Sequence, residues 1–359
     1  MIFTKIWEHY FVKEFFKVFI LFLGCFYGLY VLIDYASHTS SLPQNTMKIQ
    51  GIALVNYYLY IFICRAEILI PLTLLIALIK TLVSLNMRGE LIGFLASGFK
   101  SKTLLRPFIF IGLTATFLLF LNEQFLLPVA LKKLRYIEDS TKHQRGRNNV
   151  AVLARHLILE DESLFLFQSY DTAKKQFFDA YWIRSIDDIY RIKYLSPYNA
   201  VPTGYFVDRL VRQPNQELAL QESFPVLEFS DLKFNPDILR STLIDSDILS
   251  FDELWNQLPS SHEMSEKESK ILTSFYWKLI MPWLCLLAII APAPFCMIHS
   301  RQFPLFLIYV CGIFGLLSLY LFLDAGQVIA KRQVLSPAII LLVPFLSVSG
   351  FFGWRFTKL

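Results

Sequence analysis

Long apolar runs alternate with short polar, glycine-dotted stretches in the first third of the chain and again in its last quarter. A helix needs about 20 apolar residues to cross a bilayer. By that ruler six spans are predicted, at 16–34, 67–86, 104–122, 274–297, 304–323 and 335–354. The second run begins at 53 and is too long for one crossing. Arg65 and Glu67 punctuate it, and charge at a helix centre is costly, so the pair is expected at the membrane surface. Residues 53–64 are then expected to lie flat as an aromatic interfacial segment, while Lys80 snorkels from the far end of the span.

Between the third and fourth runs the period changes. Tyr190, Ile192 and Tyr194 alternate with Arg191 and Lys193, and turn signals recur at SPYN (196–199), VPTG (201–204) and QPNQ (213–216). Short strands with such punctuation predict an antiparallel sandwich or barrel. Pro225 bars its strand from a central place, so 218–229 is expected at an edge or a bulge, with Phe165, Phe167, Tyr190 and Tyr194 lining the interior. Ser250 and Glu253 form a capping box that opens a short amphipathic helix before the linker 259–269. The fold expected is an α-helical integral membrane protein of six transmembrane helices with an inserted external all-β domain. Residues 1–139 hold helices one to three, 140–265 the β domain and 266–359 helices four to six.

Composition agrees with that reading. Residues are 55% hydrophobic, 16% aromatic and only 18% charged, against about 25% charged in ordinary soluble domains. The formal charge of +5 is a topology signal. With the N-terminus inside, the short inner segments hold Lys5, Lys13, Lys17, Arg88, Lys100, Lys102, Arg106, Arg301, Arg355 and Lys358. The outer ends hold Lys48, Arg65, Lys278, Lys331 and Arg332. The positive-inside rule favours this orientation and places the β domain outside. Charges of both signs nearly balance there, so no nucleic-acid partner is implied. The apolar core of the first run exceeds that of a signal peptide and no small-x-small site follows, so it is expected to remain as an anchor. All five cysteines lie in apolar runs without metal-ligand spacing, which implies neither structural disulfide nor metal site.

Catalytic chemistry finds no support. Gly93 to Ser101 nearly spells GxxxxGK[ST], but Phe99 separates Gly98 from Lys100 and a membrane run precedes it. A phosphate cradle needs the unbroken spacing after a strand. The six histidines are scattered, His156 among them, and no GxSxG or HExxH occurs. Lys80, Lys278, Asp34 and Asp324 fall toward span ends. Ion-driven transporters place such groups near the midplane, so any energy source is expected to lie outside the chain. Residues 88–98 read as a short amphipathic helix ended by Gly98, either a surface helix between two spans or a docking knob for a soluble partner.

The stretch ILIPLTLLIALIKTLVSLNMRGELIGFLASGF (68–99) resembles the lipopolysaccharide-export permeases of the LptF/LptG family. Glu90-Leu91 and Ala96-Ser97-Gly98 match that family's inner loop. Asn122-Glu123, Pro128, Lys132, Lys133 and Arg135 match the segment after its third span, and 276–295 and 336–345 fit its fourth and sixth. The resemblance covers nearly the whole chain. It implies an inner-membrane half-transporter with cytoplasmic termini, a periplasmic β-jellyroll and no cofactor. It implies as partners a paralogous permease subunit, a cytoplasmic ABC ATPase dimer that does the hydrolysis, a periplasmic jellyroll bridge protein, lipopolysaccharide and membrane lipids. Arg88, Glu90, Leu91, Ala96 and Gly98 would couple to the ATPase. Lys132, Lys133 and Arg135 would meet lipid phosphates, and the first and fifth spans, with Phe26 and Leu316, would form a lateral gate. One departure is that the outer end of the first span carries Asp34 and no basic residue before Lys48. The competing reading is a membrane-anchored envelope scaffold or sensor whose β domain binds a protein and transports nothing.

Overall fold

The computed structural model describes residues 5–38, 50–144, 155–159, 163–171, 176–197, 201–212, 218–232, 246–258, 266–297 and 305–358. Lys48, Arg301, the linker from 259 to 265 and the turn at 213–216 lie outside the described residues. Two compact units emerge. One joins 1–144 to 246–359, and the other is 145–245.

The first unit is helical. Its helices are α1 (Ile6–His38), α2 (Gln50–Met87), α3 (Glu90–Ala96), α4 (Ser101–Leu121), α5 (Leu127–Gln144), α6 (Phe251–Asn256), α7 (Glu266–Ile280), α8 (Leu284–Ile290), α9 (Ala293–Met297), α10 (Leu305–Lys331) and α11 (Pro337–Thr357). Six stretches are long and apolar enough to cross a membrane: Ile6–Ser37, Leu54–Met87, Ser101–Leu134, Glu268–Met297, Phe306–Lys331 and Pro337–Thr357. The expected flat segment at 53–64 does not form. Those residues continue α2 without a break through Arg65 and Glu67. At 1.5 Å per residue the 38 residues reach about 57 Å, well beyond a hydrocarbon core of about 30 Å. The excess is carried as helix because an unbroken ladder leaves no backbone group unpaired.

Prolines shape the other long elements. Pro128 has no N–H to give and its ring crowds the carbonyl of Gln124. A π-turn, Asn122–Leu126, relieves this by passing the Leu127 N–H to the Asn122 carbonyl. Pro282 sits in a 3-10 turn, Met281–Trp283, and Pro292 falls between α8 and α9, so the fourth span is built in pieces. The core gathers Phe11 and Phe15 of α1, Leu74, Leu78 and Leu82 of α2, and Phe108 of α4, all fully buried. Many apolar side chains remain exposed around it, such as Phe314 at 69%. In a membrane-crossing helix these face lipid tails rather than water.

The second unit is one open sheet in which each strand is antiparallel to the next: β1 (Arg155–Ile158), β2 (Leu164–Asp171), β3 (Gln176–Ser185), β4 (Asp188–Ser196), β5 (Thr203–Arg212) and β6 (Leu218–Glu228). Among the described residues β6 is an edge strand, one of the placements that Pro225 allows. A transverse line crosses the sheet at Gln168, Asp179, Lys193, Phe206 and Pro225, the one position in each strand from β2 to β6 where pairing lapses while register continues on both sides. Asp179 and Phe206 adopt φ of 47° and 55° there, a conformation that costs an L-residue roughly 1–2 kcal/mol. Inward positions consequently step by three across the line, from Phe177 to Ala180, Ile192 to Leu195, Gly204 to Val207 and Phe224 to Leu227. The sheet bends at this line, and both halves keep an apolar face on one core. Phe165, Phe167 and Tyr190 join that core as expected. Tyr194 does not. The phase change at Lys193 turns it outward, where its ring centroid lies 5.4 Å from that of exposed Phe178.

Candidate functional site

At one end of the helical unit the chain reverses from α2 into α4 through α3. Gly89, at φ 74°, ends α2 and serves as N-cap of α3 in a left-handed conformation that only glycine adopts freely. The other end of α3 closes in a Schellman motif: the Gly98 N–H donates to Leu95 O at 3.0 Å and the Phe99 N–H to Phe94 O at 3.2 Å, with Gly98 at φ 89°. The accompanying apolar contact is present, since the rings of Phe94 and Phe99 meet edge-on at 5.9 Å. Trp7 and Phe11 of α1 pack on the same rings, and Leu91 is 1% exposed beneath them. A seven-residue helix is marginal alone, so this aromatic clamp is what fixes its pose.

The clamp leaves the other face of α3 free. Ile92, Gly93, Ala96, Ser97 and Gly98 are exposed. Glu90 stands beside them, accepting from the Tyr10 hydroxyl at 3.2 Å, with Arg88 Nη1 3.8 Å from its carboxylate and 3.2 Å from the same hydroxyl. Of the residues expected at a coupling surface, Arg88, Glu90, Ala96 and Gly98 therefore sit at or beside one exposed patch, whereas Leu91 anchors it from below. The near-miss phosphate motif is a helix and a Schellman turn here, with no strand before it.

At the opposite end, polar groups converge that are far apart in sequence. Glu67 of α2 accepts from Trp277 Nε1 at 3.3 Å and from the Tyr320 hydroxyl at 3.0 Å. Glu123, in the π-turn, is 3% exposed, and neither carboxylate oxygen has a hydrogen-bond partner among the described residues. Lys278 is equally buried at 3% and donates to Leu249 O at 2.6 Å. Gln124 binds α6 twice, donating to Asp252 and accepting from the Phe251 N–H at 2.9 Å. The capping box of α6 is present, with the Glu253 N–H donating to Ser250 Oγ and the Ser250 N–H to Glu253 Oε2. That second bond holds the Glu253 carboxyl below its usual range against the effect of burial. This cluster was not assembled from the sequence. Acids embedded in apolar runs, Glu67 and Asn122-Glu123, are the signal that marks it.

Asp247 clasps the same end, accepting from Lys331 Nζ at 2.9 Å and from Ser274 Oγ at 2.8 Å. Burial disfavours its charge, but Lys331 and the hydroxyl outweigh that and hold its carboxyl below the ordinary aspartate range. With the folded value depressed, the stabilisation is complete above the unfolded value of about 3.9 and fades only as pH falls through the folded one. Asp247→Asn is therefore expected to lower the melting temperature slightly, by about 2 °C or less for a pair this exposed. That deficit should stay constant from pH 5 to 8 and close below pH 4, as measured by thermal unfolding in detergent.

The residues expected to meet lipid phosphate lie on α5. Lys132 is exposed, while Lys133 donates to the Tyr60 hydroxyl at 2.9 Å with its ammonium 5.2 Å from that ring's centroid. Arg135 is on the same helix, its side chain outside the described residues. Of the two gate positions, Phe26 of α1 is half-buried beside Phe22 and Leu316 of α10 is 8% exposed. No group of metal-binding residues occurs among the described residues. No curated protein matches the chain. The model of the family described as "Lipopolysaccharide export system permease LptF/LptG" matches residues 9–358. Six apolar spans and a separate antiparallel sheet agree with that match over nearly the whole chain, and the chain belongs to the LptF/LptG family of lipopolysaccharide export permeases.

Proposed function

We propose that this permease is one half of an ATP-driven exporter that draws lipopolysaccharide from the inner membrane and passes it to a periplasmic bridge. In this reading the termini and α3 lie in the cytoplasm and the sheet lies in the periplasm, in line with the excess of basic residues at the α3 end. A paralogous permease subunit pairs with it, and a dimeric ABC ATPase docks on the exposed face of α3. The observation that carries the proposal is the pose of α3. A short helix clamped by four aromatic rings transmits a push from a soluble partner without deforming, and its exposed Ile92, Gly93 and Ala96 offer a flat seat.

Lipid would leave the bilayer past α1 and α10, with Lys132, Lys133 and Arg135 drawing its phosphates outward. The open edge of β6 suits strand addition by a second β domain. Co-purification tests the reading. The full chain should retain a soluble ATPase and lipopolysaccharide, the latter identified by mass analysis. A photo-crosslinker at Phe26 should capture the same lipid. A chain that retains a β-rich partner but no ATPase, and from Phe26 crosslinks only to phospholipid, would be the scaffold instead.

A further inference from the structure

A cavity of about 300 Å³ lies between α2, α8, α9, α10 and α11, at the α3 end of the bundle. Leu75, Phe295, Ile308, Cys311, Gly315 and Phe352 are among its lining residues, and no lining side chain carries nitrogen or oxygen. Whatever enters it must be hydrocarbon, since a polar group would lose its water without replacement. On α10 the lining runs from Leu307 to Leu319. At 1.5 Å per residue that is about 18 Å, close to the depth of one leaflet, about 15 Å. The volume is at the lower bound of about 300–1,000 Å³ for ligand pockets, a fit for one chain.

The mouth has a different chemistry. Arg355 follows Phe352 by one turn of α11, and its guanidinium lies 4.3 Å from the ring centroid of Phe295. Both of those rings line the cavity. Among the described residues no carboxylate pairs with Arg355, so its planar set of N–H donors is available. Lys102, whose Nζ donates to Thr357 O at 2.7 Å, and Lys358 add positive charge to the same helix end. An apolar slot about one leaflet deep, with a guanidinium packed on one of its lining rings, complements an anionic lipid.

We propose that this cavity binds one acyl chain of an anionic phospholipid whose phosphate is held by Arg355. The lipid is a fixed companion of the bundle. It fills the gap between α10 and its neighbours from the basic end, and it is separate from the lipid that the permease exports.

Two substitutions divide chain from headgroup. A Cβ at Gly315 meets nothing within 4 Å, so Gly315→Leu fills the cavity without displacing the fold; Gly350, equally open and not part of the lining, gives Gly350→Leu as the control. Arg355→Gln removes the charge and keeps the stem. The full-length chain is reconstituted in nanodiscs of phosphatidylcholine with one-fifth phosphatidylglycerol. It is then extracted, and retained lipid is quantified by native mass spectrometry. The wild type and Gly350→Leu should each keep one phosphatidylglycerol. Arg355→Gln should lower its occupancy about ten-fold, as expected for losing a charge-assisted contact, and Gly315→Leu should abolish retention. Soluble glycerophosphate added in excess should not compete. Equal retention of both lipids, or unchanged retention in both variants, would overturn the proposal. So would displacement of the phospholipid by lipopolysaccharide with the same sensitivity to Gly315→Leu, because the cavity would then belong to the export path. Loss of ATPase association leaves these outcomes unaffected, so the two proposals fail separately.

Discussion

Glu90→Lys is expected to abolish association with the proposed ATPase partner, and export with it, while the protein still inserts and folds. The pose of α3 does not rest on Glu90. Leu91, Phe94 and Phe99 hold the helix from beneath, and Gly89 and Gly98 set its ends. The carboxylate lies at the rim with its side chain 30% exposed, where its intramolecular contacts are the Tyr10 hydroxyl and Arg88. Reversing its sign places a second cation beside Arg88 on the seat itself. Removing one partner of an interfacial charge contact costs about 2–5 kcal/mol, on the order of 30-fold or more in affinity. Pull-down of the ATPase and a lipopolysaccharide export assay are the measurements. Tyr10→Phe is the control, since it removes a hydroxyl and leaves the charge, and its effect should be small. Normal pull-down and export in Glu90→Lys would remove α3 from the coupling role and leave it a surface helix between two spans.

Trp182→Ala is expected to unfold the sheet and leave the helical unit inserted. Trp182 is 2% exposed in the middle strand of the core. It stacks on Tyr190 at 5.5 Å, meets Phe229 edge-on at 5.6 Å and donates from Nε1 to the buried Ser163 Oγ at 2.9 Å. Truncating a buried tryptophan costs about 3–5 kcal/mol. Among the described residues the sheet has one core and no strand beyond β1 or β6, so it has little stability in reserve against such a loss. Limited proteolysis should cut the variant between 145 and 245 while the apolar spans stay protected. Phe178→Ala, on the outer face, should leave the sheet intact. A Trp182→Ala sheet as resistant as the wild type would mean that the core derives its stability elsewhere.

What could be read from the chain follows from how local each cause is. The six spans were legible because lipid offers the backbone no partner, so an apolar run of sufficient length has to be a helix. Gly98 as the stop of α3 and Ser250–Glu253 as the start of α6 were legible for a similar reason: each motif satisfies hydrogen bonds within a few residues of itself. That β6 does not lie at the centre of the sheet followed from one missing N–H, at Pro225. The flat segment at 53–64 was misread because charge at Arg65 and Glu67 looked like a membrane boundary, whereas the helix continues with those groups held by Tyr30, Trp277 and Tyr320 from other elements.

Only the tertiary structure decided the rest. Tyr194 points outward because the bend at Asp179 and Phe206 shifts the phase of every strand it crosses, and neither residue is the glycine that would announce such a bend. Glu67 of α2 is held by Trp277 and Tyr320 of two other helices, and Lys278 by the Leu249 carbonyl, and nothing within one turn of any of them specifies those partners. The same holds for Leu316 and Arg355. Their place around one cavity depends on how α10 and α11 pack against α2, α8 and α9, which is settled by side-chain shape across the bundle and not by the apolar pattern of any one helix. Pattern along the chain determined which segments cross the membrane and where they stop; the packing of distant segments determined which charges are buried, which face of the sheet is closed and where a lipid has room.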